Sequence, residues 1–354
     1  MSDAPGAPRF VNAIAPIRIC DNGGWTDTWF AGHGKVFNIG VSPYVEVKLS
    51  VHRSDGEPNR VAFDVVNDGD RYEFDPRSGP GRHPLLEAAV DLVGVPDAFS
   101  IEIAISSNAP AGGSTATSAA VAVALIGALD ALTPGRMSLH EIAYAAHRVE
   151  VERLGVQSGV QDQLCAAYGG INFIEVPSYP DATVSQIGVP EAVWSELDRR
   201  LVLVYLGRAH VSSEVHDRVI ARLDGRGAQS RELDALRAAA EAARDAVCAA
   251  DFAALGRAMT ANTEAQRQLH ADLVSGEAQA VFDVAREFGA PGWKVNGAGG
   301  EGGSVTILCG QEPDRKRELL RAVAEAVPQT RIIPTALSRH GVRVWQTEPS
   351  DPRT

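Results

Sequence analysis

Gly112, Gly113, Ser114, Thr115, Ala116 and Thr117 form a run with almost no side-chain bulk, and the run leads straight into an apolar, alanine-rich segment ending near Leu132. Backbone N–H groups in such a loop can close around a phosphate at the positive end of the following helix. The hydroxyls of Thr115, Thr117 and Ser118 add donors for phosphate oxygens, and one of them is a suitable hard ligand for Mg²⁺. The same residues fit a plain capped core helix equally well, so the loop alone leaves both readings open. A second candidate is Asp162. Ser158 and Gln161 have the spacing of a capping box, which predicts a helix through Tyr168 with Asp162 in its first turn, where the helix dipole favours the ionised carboxylate. Glu150 stands beside Glu152 near the end of the preceding helical stretch. Gly297, Gly299 and Gly302 spell the dinucleotide pattern G-x-G-x-x-G, but they lead into the strand-like SVTIL rather than a helix, and the dinucleotide reading is rejected. A phosphate-facing or loop-packing glycine turn and a tight hairpin remain.

These residues need elements to hold them. Phe10 to Ile19 alternates as a strand and breaks into the polar-aromatic loop CDNGGWTDTWF, after which Val36 to Val51 returns to a β pattern. Arg60 to Phe74 reads as further strand, split by the Asn67-Asp68-Gly69 turn. Pro84 to Leu92 is a helix, and Phe99 to Ile105 is a strand that delivers the chain into the glycine-rich loop. Ser138 and Glu141 form a capping box for a helix stopped at Gly155; Gly169 and Gly170 end the helix carrying Asp162, and INFIEV follows as a strand. VPSYPDATVSQIGVP, rich in Pro and turn formers, is the expected crossing between domains 1–190 and 191–354. Beyond it, a buried strand at Arg200 to Leu206 opens a helix-rich half. Helices are expected at Glu214 to Arg222, Glu232 to Ala249, Phe252 to His270, Gly276 to Phe288 and Pro313 to Val327, with β segments near Arg331 to Pro334 and Gly341 to Trp345. That succession predicts an α+β second domain.

Composition narrows the function class. With 45% hydrophobic and 22% charged residues over 354 positions, the chain has the profile of a two-domain globular protein. A net charge of −12 argues against nucleic acid or an anionic membrane as partner, so any phosphate site must be built locally. Cys20, Cys165, Cys248 and Cys309 are scattered without a C-x-x-C pair, as expected of free thiols in a reducing cytoplasm. No signal-peptide pattern is seen at the start, and the longest apolar run, Ala119 to Leu129, is short of a membrane span.

Two glycine loops, a first-turn aspartate and an acidic helix end fit phosphoryl transfer, in which positioning and charge neutralisation supply most of the catalysis. Neither a Walker A sequence nor the H-R-D and D-F-G pair is present. In order and spacing, Ala15 to Asp27, Asn108 to Ala120 and Lys294 to Gly303 resemble the three motifs of the GHMP small-molecule kinase superfamily. GGWTDT, GVQDQ, AAYGGINFIE and NGAGGEGG are most similar to the D-glycero-D-manno-heptose 7-phosphate kinases and the fucokinases. The resemblance implies a two-domain α+β fold: an N-terminal α/β domain of the ribosomal-protein-like type and a C-terminal ferredoxin-like domain, with ATP and sugar between them. It implies Asp162 as catalytic base and Arg18 as the basic residue that orients it. Ser118 and Glu150 are the implied Mg²⁺ ligands. Sugar contacts fall to Gly24, Thr26, Asp27 and Gln161, and nucleotide contacts to Gly112 through Ser118 with Gly297, Gly299 and Gly300.

The match has departures. Ser114 and Ala116 replace glycines usual in the second motif, Ala119 replaces a serine, Glu301 stands where glycine is common in the third, and Cys20-Asp21-Asn22 is more polar than usual. The expected activity is ATP-dependent phosphorylation of an anomeric hydroxyl, with a heptose 7-phosphate as acceptor and Arg208 and His210 as its phosphate ligands. A fucokinase-like enzyme acting on a free sugar is the alternative, and a sensor that keeps the fold without catalysis is a third reading. A homodimer is possible.

Overall fold

In the computed structural model the described residues are 9–54, 60–133, 135, 137–209, 212–223 and 225–348. The first half of the chain runs β1 (Arg9–Asn22), β2 (Gly34–Arg53), β3 (Val61–Val65), β4 (Asp70–Phe74), α1 (Pro84–Val93), β5 (Phe99–Ser107), α2 (Thr117–Asp130), α3 (Leu139–Arg148), α4 (Gln161–Tyr168), β6 (Ile171–Ser178) and β7 (Asp181–Gln186). β2 is long because it has several neighbours. β1 lies antiparallel along one side of it; on the other, β6 pairs with Gly34 to Ile39 and β5 with Val45 to Arg53. Alternation then sorts the side chains, placing Val45, Val47 and Leu49 of β2 in the core beside Ile101, Ile103 and Ile105 of β5.

α2 crosses this sheet and has almost no polar face, as a helix enclosed on all sides should. Its alanines permit close approach to β1 and β2, and each full burial of a side chain such as Leu125 or Ile126 contributes about 1.5–3 kcal/mol.

The second half runs α5 (Glu191–Arg200), β8 (Leu201–Tyr205), α6 (Ser212–Leu223), α7 (Arg231–Cys248), α8 (Phe252–Leu269), α9 (Gly276–Glu287), β9 (Gly292–Val295), β10 (Ser304–Leu308), α10 (Pro313–Ala326), β11 (Arg331–Ile333) and β12 (Arg343–Thr347). Its antiparallel sheet has the order β11-β8-β10-β9, the ferredoxin-like arrangement. The unbroken apolar run of β8 follows from burial on both faces. Leu201 and Leu203 join the core shared with α7, α8 and the first sheet; Val202 and Val204 join the separate core under α9 and α10. The α7–α8 pair contacts both sheets, carrying one continuous core between the halves.

Three features differ from the sequence expectation. VPSYPDATVSQIGVP is not a crossing: most of it is the β6–β7 hairpin, and the crossing is α5, a helix the pattern did not reveal. β12 leaves the second half to pair with β1 at the edge of the first sheet, and the bare Cα of Gly127 on α2 lets Val342 and Val344 approach. Ser158 does not cap α4, whose N-cap is Val160 without a side-chain bond; the Ser158 hydroxyl is turned to Glu150 instead. Among the described residues no helix is long and apolar enough to cross a membrane.

Candidate active site

Gly112 through Ser118 line a cleft of about 500 Å³ together with Arg18, Asp27, Glu150 and Asp162. Ala116 caps α2 in the left-handed conformation and supplies no side-chain bond, so the first-turn N–H groups lack the partners a cap would give them. Ser114 and Ala116 stand at φ of +55° and +62°, which explains why glycine suits both positions. Ser304 on β10 donates its hydroxyl to the Gly113 carbonyl at 2.6 Å, fastening the loop to the second sheet. The hydroxyls of Thr115 and Thr117 are 3.3 Å apart, and the buried Ser114 Oγ has no partner among the described residues.

Arg18 on β1 gathers the site's charges. Its Nε donates to Asp162 Oδ1 at 2.8 Å and its second terminal nitrogen to Oδ2 at 3.3 Å, the two-pronged grip that a guanidinium's planar fork allows. Its remaining nitrogen donates to the Ser114 carbonyl at 2.8 Å, so carboxylate, cation and glycine loop form one unit. Burial alone would lower the guanidinium's pKa; Asp162 and Asp21 more than offset it, and the group is held above its ordinary value. Asp162 keeps 30% of its side chain exposed, leaving it open to the cleft.

Glu150 faces the same space from a π-helical turn, Val149–Arg153, that interrupts the helical stretch after α3. Its Oε2 accepts from Ser158 Oγ and from Gln163 Nε2, both at 2.7 Å. Burial raises its pKa to about 7, with Asp162 adding to the rise and the two hydrogen bonds opposing it. Tyr179 donates to the Ser158 carbonyl at 3.0 Å and contacts His147 Nε2 at 2.9 Å, tying that loop to α3 and the β6–β7 turn. Asp27 is almost wholly buried in the cleft wall: Gln161 donates to it from its backbone at 3.0 Å and from its side chain at 3.4 Å. Burial pushes Asp27 up to about 6, helped by the charge of Asp162 and opposed by the Gln161 backbone bond.

Residues to which the sequence assigned no role of their own brace this arrangement. A side chain at Gly159 would stand 2.0 Å from Asp27 Oδ2, so glycine there makes room for the carboxylate. Asp21 and Lys294, both wholly buried, meet at 3.3 Å between β1 and β9; Asp21 also accepts the Gly297 N–H at 3.0 Å. Burial lowers the Lys294 pKa and Asp21 opposes the fall. The available signal was a lysine inside the apolar run GWKV.

Some expected site residues lie elsewhere. Gly24 packs on Asp21 and Gln161 outside the cleft lining, and the Thr26 hydroxyl closes its own turn by donating to the Gly23 carbonyl at 2.7 Å. Gly297 lines the cleft, but Gly299 and Gly300 lie against the Leu273 carbonyl, where the Gly300 N–H donates at 3.0 Å. Arg208 is 63% exposed, near Glu277 and Glu301 at 3.7 and 3.8 Å, and does not line the cleft. His210 is outside the described residues.

Known proteins share this architecture and these sequences. Residues 85–170 match the family model for the GHMP kinases N terminal domain, and residues 243–329 match that for the GHMP kinases C terminal. The chain is 24% identical over 352 residues to a D-glycero-alpha-D-manno-heptose 7-phosphate kinase of Campylobacter jejuni, covering 96% of this chain and 99% of that one. It is 26% identical over 343 residues to the bifunctional fucokinase/GDP-fucose pyrophosphorylase of Arabidopsis thaliana, covering 90% of this chain and 31% of that longer protein. Among solved structures, Lactococcus lactis galactokinase complexed with galactose superposes with a TM-score of 0.75 at 15% identity, covering 94% and 95% of the two chains. A D-glycero-D-manno-heptose 1-phosphate kinase from Bacteroides thetaiotaomicron gives 0.69 at 20% identity, covering 95% and 98%. Both halves match in their proper order, and the protein belongs to the GHMP kinase family as an ATP-dependent kinase.

Proposed function

We propose that the protein is a sugar kinase that moves the γ-phosphoryl group of ATP to the anomeric hydroxyl of its acceptor, with Asp162 as the base. The observation that carries this reading is the Arg18 grip: one guanidinium holds the Asp162 carboxylate and the carbonyl of the phosphate loop. In the reaction the sugar oxygen bonds to the γ-phosphorus as the bond to the β–γ bridging oxygen breaks; Asp162 takes the hydroxyl proton and ADP leaves. Arg18 keeps Asp162 aimed and neutralises charge beside the moving group.

The loop N–H groups and the start of α2 suit the ATP phosphates. A second cavity of about 340 Å³ adjoins them, sharing Leu85 and Thr117 with the cleft, and its walls of Val65, Leu86, Ile105 and Val121 suit a flat, apolar base. Ser118 and Glu150 present hard oxygen donors to the same space, which fits Mg²⁺. Among the described residues no three His, Cys, Asp or Glu side chains gather as a metal cage, so a cation held here completes its shell with phosphate oxygens and water. When bound, it neutralises developing phosphate charge.

For the acceptor, the Campylobacter relative suggests a heptose 7-phosphate, whereas the bifunctional relative suggests a free 6-deoxyhexose. The test is ADP release across free hexoses, 6-deoxyhexoses, uronic acids and heptose 7-phosphates in the presence of Mg²⁺, with the phosphorylated carbon assigned by ³¹P–¹H correlation. Phosphate on the anomeric carbon supports the proposal. Turnover only on non-sugar alcohols overturns it.

A further inference from the structure

Trp25 carries two unfavourable features that the chemistry above does not use. Its φ is +80°, a backbone conformation that bulky L-residues rarely adopt. Its indole Nε1 is buried with no hydrogen-bond partner among the described residues, although a buried indole N–H ordinarily finds one. Both occur on the cleft wall, in the loop that holds Asp27. The ring is fixed by its neighbours. The Phe30 ring is 6.2 Å away at 53°, and His216 of α6 meets the indole at 4.8 Å and 65°. Strain and an orphaned donor on one rigid ring are the expected state of a ligand contact awaiting its acceptor.

Charge defines that ligand. Among the described residues lining the cleft, Arg18 is the only lysine or arginine, against Asp21, Asp27, Glu150 and Asp162. Arg18 is already engaged by Asp162 and the Ser114 carbonyl, and Arg208 points elsewhere. A phosphate dianion on the acceptor would therefore lie near carboxylates with no lysine or arginine of its own, His216, the one histidine among the described lining residues, being packed edge-on against the indole. A neutral polyol fits the same wall: Asp27 and Gln161 can exchange hydrogen bonds with hydroxyls, and an indole offers an apolar face to C–H groups and a donor to oxygen.

We propose that the acceptor is an uncharged sugar and that Trp25 selects it, its Nε1–H donating to a sugar oxygen. This inference rests on the sugar-kinase reading. The experiment compares matched pairs on the full chain: D-glycero-D-manno-heptose with its 7-phosphate, and galactose or mannose with the corresponding 6-phosphate. It repeats the better member of each pair with Trp25→Phe, which keeps a ring and removes the donor. Wild-type kcat/KM should favour the free sugar in each pair. Trp25→Phe should raise the sugar KM roughly tenfold with the ATP KM unchanged, the scale of one lost hydrogen bond. Preference for sugar phosphates, or a sugar KM unmoved in Trp25→Phe, overturns the inference while leaving a sugar kinase in place. No turnover on these pairs, with turnover in the wider screen confined to non-sugar alcohols, removes the sugar-kinase reading and this inference with it. If Trp25→Phe fails to fold, the wild-type pairs alone decide the charge of the acceptor.

Discussion

The two glycine-rich loops at the cleft are alike in composition and opposite in use. In the loop before α2, the N–H groups around Ser114 to Ser118 meet no side-chain cap, and every residue from Gly112 to Ser118 faces the cleft. In the loop between β9 and β10, the N–H groups are taken: Gly297 donates to Asp21, Gly300 to the Leu273 carbonyl and Gly303 to the Arg208 carbonyl. The first leaves its N–H groups turned to the cleft, where we propose that phosphates bind; the second is a strut joining the two sheets. Small residues permit both outcomes, and the partners of the N–H groups separate them.

The strut can be broken most severely at its buried ion pair. Lys294→Met should destabilise the fold by about 3 kcal/mol, because Asp21 would be left charged and enclosed with only the more distant Arg18, at 3.7 Å and already committed to Asp162, as its cation. Adding Asp21→Asn should restore much of the loss in a denaturant titration; a double variant as weak as the single one would mean that the pair is not the cause. Next comes Gly299→Ala. At φ +73° its added carbon would stand 2.2 Å from the Leu273 carbonyl oxygen, and a loss of about 2–4 kcal/mol is expected, read as a lowered Tm. An ATP KM raised in proportion, with Tm unchanged, would instead place Gly299 in the nucleotide site.

Asp27 contrasts with Asp21: both are buried, but Asp21 lies within ion-pair distance of Lys294 and Arg18, whereas Asp27 is held by the backbone and amide N–H groups of Gln161. Its folded pKa of about 6 exceeds its ordinary 3.8. The fold thus binds the proton more tightly than the unfolded chain, and stability falls as pH rises from about 4 to about 6, staying lower above that range. Asp27→Asn should be more stable than wild type by about 2 kcal/mol at pH 8, with the gap closing at pH 4. A gap independent of pH would contradict a buried, destabilising charge. The smallest effect concerns the open loop. Ser114→Gly and Ala116→Gly should each add roughly 1 kcal/mol by relieving left-handed strain, seen as a modest rise in Tm.

Local pattern made much of this molecule legible. The capping box at Ser138, the turn splitting β3 from β4, the glycine run before α2 and the stop at Gly169 each depend on residues within one turn or hairpin, and each is present. The α+β character of the second half followed from the order of its elements, and its ferredoxin-like topology from the family resemblance. What failed depended on distant neighbours. Ser158 has the spacing of a cap, whose oxygen would accept from a backbone N–H, but the side chain is turned instead to donate its hydroxyl to Glu150. Arg208 has the right chemistry for a phosphate, yet its chain segment faces Glu277 and Glu301. The Lys294–Asp21 pair and the clearance at Gly159 arise only when β1 meets β9 and α4 meets the first loop, contacts that no short stretch encodes.

The open loop and the Arg18 grip acquire a purpose only if Asp162 accepts the proton of the attacking hydroxyl. Asp162→Asn keeps the shape of the side chain and removes that capacity. Measured by ADP release at saturating sugar and ATP, with ATP–Mg²⁺ binding followed in parallel by calorimetry, the variant should lose roughly 10²-fold or more in kcat while ATP affinity holds. Turnover within a few-fold of wild type would contradict the account.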